Sequence, residues 1–259
     1  MLTTAHTLRD IAAVIITFLG TKGGTGTTTM AVNCATALYR LSRRSTLLVE
    51  VKTGPGDLTV FLALRPRYSL LDFIDHGAWN ERVRAAQYVT AHQSGVHVLS
   101  AADAFGRPDG ADADALERTI ACLNATYDFV VIDAGSMLTS SAITTVGMSD
   151  VVMLVANPDV PCLRNVRRLS DALRVAGVLP ERMRILLNRA SDHGVMPVAQ
   201  IEKVLDRAID FQVGSDYRTV AAALNTGVPI GSLKPSGLQQ QVEAIARSLM
   251  GPTPVPASL

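Results

Sequence analysis

Aromatic residues are scarce, at 5% of the chain, although hydrophobic residues make up 48%. An interior built from Ala, Val, Leu and Ile instead of rings suits helices packed on parallel strands and argues against an all-β sandwich. Neither sign of charge is in excess: 24 Lys and Arg face 23 Asp and Glu, a formal net charge of +1. No global field therefore draws the protein to nucleic acid or anionic lipid, and such binding would need a local patch. Cysteine is rare as well. Cys34, Cys122 and Cys162 form no Cys-x-x-Cys pair, which argues for buried thiols in a reducing, cytoplasmic setting. His6, His76, His92, His97 and His193 are equally scattered, so no metal is assigned to His or Cys. Long hydrophobic runs are also missing. The apolar stretch at 11–20 is too short to span a bilayer, and it runs into a Gly/Thr loop where a signal peptide would carry a cleavage site.

What is present is alternation. Short apolar runs at 12–19, 45–51, 96–100, 128–133, 151–156 and 184–188, with a weaker one at 209–213, read as strands covered on both faces. Between them, residues 28–41, 114–124, 162–176 and 200–207 carry apolar side chains at helical spacing. The pattern predicts an α/β fold, a doubly wound and mainly parallel sheet flanked by helices, as one domain over 11–250. Residues 1–10 are expected to form a flexible arm, and the Pro-rich 251–259 a disordered tail.

The first strand runs into Gly20-Thr21-Lys22-Gly23-Gly24-Thr25-Gly26-Thr27-Thr28-Thr29, and a helix pattern follows at once. Strand, Gly-rich turn and helix together make a phosphate cradle. Successive backbone N–H groups at a helix N-terminus hold the anion, and glycines let the main chain come close. In such a loop Thr28 stands where a hydroxyl binds Mg²⁺, and Thr29 is placed to reach a further phosphate oxygen. Asp133 ends the apolar strand at 128–133, where a carboxylate can orient the water shell of Mg²⁺. A helix N-cap for the segment near Ser140 is the plainer role for that acid.

At these residues the chain resembles the deviant Walker A family of MinD and ParA, whose loop reads Lys-Gly-Gly-x-Gly-Lys-Thr-Thr. The resemblance covers about residues 12–250. It implies that ATP and Mg²⁺ are bound, with Gly23, Gly24, Thr25, Gly26, Thr27, Thr28 and Thr29 around the phosphates. Lys22 matches the signature lysine, which the resemblance implies would reach a phosphate across an ATP-sandwiched homodimer. Thr27 stands where the family has its second lysine, as in the CpaE/TadZ branch of pilus-assembly localisation factors. Leu47 to Lys52 with Gly56-Asp57-Leu58 is similar to the family's second strand, and Tyr127 to Asp133 to its Walker B strand. Leu186-Leu187-Asn188-Arg189 resembles the strand whose Asn reads the adenine, which adds Asn188 and Arg189 to the expected nucleotide site. Asp216 to Val220, then Leu224-Asn225, Gly227 and Pro229, is similar to CpaE.

Besides Thr27, two further positions depart from the pattern. Lys52 stands where active members carry the Asp that orients the attacking water, and Glu50 replaces the Asp on the Mg²⁺ side. Thr28, Glu50 and Asp133 form the expected metal set, and Lys22, Lys52 and Asp133 the expected catalytic set. Phosphoryl transfer depends on charge and positioning around the γ-phosphate, so the changes at Thr27 and Lys52 predict retained binding with slow or no hydrolysis. Glu50 and Lys52 are two apart on a strand and share a side. The favoured expectation is that Lys52 reaches the phosphates; the alternative is an ion pair with Glu50 or Asp133.

Arg164, Arg167, Arg168, Arg174, Arg182, Arg184 and Arg189 lie within one stretch that holds only Asp171 and Glu181 as acids. A solvated face explains them more simply than DNA, and no interleaved aromatic residue supports strand stacking. Leu238, Val242, Ile245 and Leu249 form a stripe near the C-terminus beside a single cation, Arg247. A lipid-binding helix needs more charge, so core packing and no autonomous membrane binding are expected. The functional expectation is an ATP-binding localisation or scaffold protein of the CpaE/TadZ type, dimeric with nucleotide and recruiting pilus or secretion machinery, cytoplasmic but brought by partners to a membrane complex or cell pole. The alternative is an active ParA/MinD-like ATPase that binds DNA in partition or division-site placement.

Overall fold

A computed structural model describes residues 13–52, 55–80, 82–102, 111–191 and 196–251. The expected N-terminal arm and nearly all of the expected tail lie outside the described residues.

Among the described residues, eight strands form one sheet: β1 (Val14–Gly20), β2 (Thr46–Glu50), β3 (Thr90–Ala91), β4 (His97–Leu99), β5 (Phe129–Asp133), β6 (Val151–Ala156), β7 (Met183–Ala190) and β8 (Phe211–Gly214). Their spatial order is β3-β4-β2-β5-β1-β6-β7-β8. All neighbours pair in parallel except the edge pair β3 and β4. The doubly wound, mainly parallel expectation therefore holds. The order reverses around β1, and ligands in such sheets bind beyond the carboxyl ends of the strands at that switch.

The helices are α1 (Thr27–Ser42), α2 (Leu58–Phe61), α3 (Leu70–Asp75), α4 (Arg82–Tyr88), α5 (Ala113–Asn124), α6 (Ser140–Gly147), α7 (Val160–Val175), α8 (Val198–Leu205), α9 (Tyr217–Thr226) and α10 (Gly237–Leu249). One face of the sheet packs under α1 and α10, where Ile16, Phe18, Leu48 and Val131 meet Met30, Leu38, Val242 and Ile245. On the other face, α5 closes over β2 and β5, while α6, α7 and α8 close over β6 and β7. Continuous burial along β2, β5 and β6 follows from these two coats of helix and explains their unbroken Val/Ile/Leu runs. The α10 stripe Leu238, Val242, Ile245 and Leu249 is buried in the core, as the weak charge of that segment suggested. No helix among the described residues is long and apolar enough to cross a membrane.

Hydrogen bonds lace the carboxyl ends together where the site is built. Gly20 N donates to Gly135 O at 2.7 Å, Thr21 N to Val155 O at 2.9 Å, and Val51 N to Asp133 O at 2.9 Å.

Candidate functional site

The loop after β1 turns into α1 at Gly26, whose φ of 90° is the left-handed conformation that glycine adopts without strain. A Cβ at Gly26 would overlap the Asn188 amide. Open space beside Gly23 and Gly24 instead lets a ligand meet the main chain directly. Lys22, Gly23, Gly24, Gly26, Thr28 and Lys52 line a cavity of about 540 Å³ over the α1 N-terminus. A smaller cavity of about 350 Å³ opens on the far side of Gly26 and Thr29, between Asn188, Arg189 and Tyr217. Arg189 borders both.

The structure brings the expected residues together, but several have partners that the sequence did not show. Lys22 extends its ammonium to Asp159 Oδ2 at 3.0 Å within the same chain. That hydrogen bond raises the Lys22 pKa. Burial works against the Asp159 carboxylate, yet the Cys162 amide and Lys22 outweigh it and hold its pKa down. Asp159 is also the N-cap of α7, accepting from Cys162 N at 2.9 Å, with Pro161 in the first turn. The Asn-Pro-Asp sequence before an apolar run carries this cap signal; its pairing with Lys22 needs the folded sheet.

Thr27 turns inward. Its hydroxyl lies 3.1 Å from Thr25 Oγ1, and Thr25 in turn donates to Lys22 O at 3.1 Å. Short hydroxyls thus brace the loop where the family has a long cation. Thr28 faces the cavity and donates to Asp133 Oδ2 at 2.6 Å. Asp133 is fully buried and also accepts from Gly135 N at 3.0 Å. The plainer role weighed for it, capping the helix near Ser140, belongs to Thr139, whose side chain accepts from Ala142 N.

Lys52 lies in the ion-paired arrangement weighed as the alternative above. Its Nζ stands 3.0 Å from Glu50 Oε1, 2.7 Å from Asp57 Oδ2 and 3.5 Å from Asp133 Oδ2, and it donates to Thr28 Oγ1 at 3.3 Å. Burial opposes its charge, but Asp133 and Glu50 more than compensate and raise its pKa. Glu50 and Asp133 are register partners across β2 and β5, which is why the strand pair delivers both carboxylates to one point. Glu50 is fully buried and fixed by two main-chain donors, Asp57 N at 2.7 Å and Ala101 N at 3.3 Å.

Asn188 ties the last strands to the loop. Its amide donates to Thr25 O at 2.7 Å, its oxygen accepts from Arg189 N at 2.9 Å, and Arg189 donates to Gly24 O at 3.1 Å. Arg189 takes a positive φ of 57° at the β7 irregularity, which carries its side chain back over the loop. A role of Asn188 as loop brace was not legible in the sequence.

An open Gly-rich loop, a helix N-terminus and a buried acid at the end of a neighbouring strand form a P-loop nucleotide cradle. Residues 13–177 match the family described as AAA domain (AAA_31). The chain belongs to this family. It is similar over 92% of its length to an uncharacterized ATP-binding protein, MJ0169, of Methanocaldococcus jannaschii, at 26% identity and covering 88% of that protein. Among solved structures, a ParA family ATPase from Chlorobium tepidum superposes with a TM-score of 0.85 at 21% identity, covering 91% of this chain and 99% of that one. The septum site-determining protein MinD from Pyrococcus horikoshii, complexed with Mg-ADP, gives a TM-score of 0.77 at 25% identity, covering 92% and 96%. The fold of this AAA domain is that of the MinD/ParA-type P-loop ATPases.

The nucleotide fits the site. Free space over Gly23 and Gly24 would admit phosphates, and the second cavity beyond Gly26 has room for a base. A divalent ion on Thr28 and Asp133 meets an obstacle, because the Lys52 ammonium stands among the oxygens that would hold it.

Proposed function

We propose that this chain is an ATP-binding localisation or scaffold protein of the CpaE/TadZ type, in which the bound nucleotide matters more than its turnover. Lys22, Gly23, Gly24, Thr25, Gly26, Thr27, Thr28 and Thr29 hold the phosphates, and Asn188 and Arg189 border the base. One observation carries the reading: a lysine locked among Glu50, Asp57 and Asp133 occupies the position that would have to orient an attacking water. An ammonium cannot accept a proton or hydrogen bond from that water, and the loop's inner cation is replaced by the short Thr27. With both contributions to the transition state reduced, hydrolysis is slow while ground-state binding persists.

Lys22 then acts in dimerisation, leaving Asp159 to reach the nucleotide held by a second copy. ATP that binds the dimer preferentially stabilises it by mass action, and the dimer recruits pilus or secretion machinery at a membrane complex or cell pole. Turnover measurement together with light scattering on the eluting protein tests this. A Mg-ATP-dependent dimer with negligible phosphate release supports it; brisk turnover by a permanent monomer overturns it.

A second reading rests on the exposure of Arg164, Arg167 and Arg168 along α7. There the protein is an active ParA/MinD-like ATPase whose basic face binds DNA. Steeply salt-dependent DNA binding coupled to hydrolysis distinguishes it.

A further inference from the structure

The cation position beside Thr28 already holds a charge, and it belongs to the chain. Thr28 Oγ1, Glu50 Oε1, Asp57 Oδ2 and Asp133 Oδ2 surround Lys52 Nζ at 3.3, 3.0, 2.7 and 3.5 Å. The Glu50 and Asp57 contacts are N–H···O hydrogen-bond distances, the Thr28 contact is a longer hydrogen bond, and Asp133 adds an ion pair. Mg²⁺ demands a near-octahedral oxygen shell at roughly 2.0–2.1 Å, and an ammonium bonded to the same atoms leaves no room for it. Among the described residues no group of three or more His, Cys, Asp or Glu side chains is arranged to hold a metal ion.

The lysine is also held in place. Its stem passes over Gly135, where an added Cβ would lie 3.6 Å from its Cγ and Cε. Glu50 cannot turn away without stranding the Asp57 and Ala101 amides it accepts from. Of the three acids, only Asp57 is well exposed, at 60% of its side chain. It is therefore the partner that gives way when a phosphate oxygen approaches the ammonium.

We propose that Lys52 stands in for the divalent cation, so that the loop takes a metal-free nucleoside triphosphate whose phosphate oxygens displace Asp57 from the lysine. The proposal rests on the nucleotide-binding reading above and specifies the ligand of that same site. It also accounts for the replacement of the water-orienting acid by Lys: one change removes a catalytic carboxylate and supplies the charge that the metal would bring.

Calorimetric titration of the intact protein with ATP, once with excess EDTA and once with Mg²⁺, tests it. The expected result is binding in EDTA within about threefold of the Mg²⁺ value, a difference below roughly 0.7 kcal/mol. Lys52→Asp and Lys52→Met are expected to lose at least tenfold in EDTA, with Mg²⁺ rescuing Lys52→Asp only. Wild-type binding that appears only with Mg²⁺ overturns the proposal while leaving the nucleotide site intact. Binding under neither condition overturns both. The wild-type comparison stands even if a variant fails to fold.

Discussion

Lys22 and Asp159, 137 residues apart in sequence, meet at 3.0 Å across the mouth of the phosphate cradle. The contact ties up the side chain that resemblance to the MinD/ParA loop would send across a dimer. Both side chains are about 40% exposed, so solvent screens the pair and leaves it weak. It is a weak latch, and a dimer contact can outcompete it.

Replacing Asp159 with Asn keeps the α7 cap, because Asn caps as well as Asp, and removes the charge that holds Lys22. The ATP-dependent dimer of Asp159→Asn is expected to tighten modestly, because the contact it releases is a weak, solvent-screened one. Sedimentation at graded protein concentrations in ATP checks this. A looser dimer would show that Asp159 itself contributes to the interface.

Gly26→Ala meets two obstacles at once: a φ of 90° and overlap with the Asn188 amide. Left-handed backbone at a residue other than glycine costs of order 1–3 kcal/mol, and breaking the bond from Asn188 to Thr25 O adds to it. Thermal unfolding is expected at a clearly lower temperature, and ATP affinity is expected to fall. Asn188→Ala should separate the two causes by removing the brace while leaving the turn.

The fold was legible because its strands are unbroken apolar runs between helical patterns, and β5, β6 and α5 lie within a residue or two of their expected bounds. The edge strand β3 was not. Two residues, Thr90 and Ala91, carry no period, and their pairing with β4 is set by the turn at 92–96 and not by burial. Within the candidate site, the loop, Thr28, Asp133 and Lys52 were singled out from spacing and resemblance, since main-chain cradles have a local signature. Glu50 and Asp133 were weighed as partners of Lys52, which they are; the other partners were not foreseen. Asp57, Asp159 and the carbonyl of Thr25 reach the site from separate loops that only the strand order places side by side. A lysine two residues after a glutamate shows which side it faces, but not which of the available charges it will meet.

His92 and His97 supply a dependence on pH. Burial lowers the pKa of both below the ordinary value of 6.5, and His97 Nδ1 lies 2.8 Å from the Tyr127 hydroxyl. The unfolded chain therefore takes up protons more readily than the folded one once the pH drops under about 6.5. Stability is expected to be flat above that value and to decline from pH 6.5 towards 5. Denaturant midpoints at pH 7.5, 6.5 and 5.5 measure it, and a His92→Gln/His97→Gln double variant should flatten the slope. An unchanged slope would assign the decline to carboxylates.

On the proposed reading the site grips ATP and leaves it whole. The direct test is to load the protein with radiolabelled ATP, recover the complex by rapid gel filtration, and determine over time how much of the retained nucleotide is ATP and how much ADP. Retained nucleotide is expected to stay overwhelmingly ATP for many multiples of the time an ordinary enzyme turnover takes, about 0.1 s at the median rate. Retained nucleotide that is already ADP at the first time point, or a complex that carries none, would contradict it.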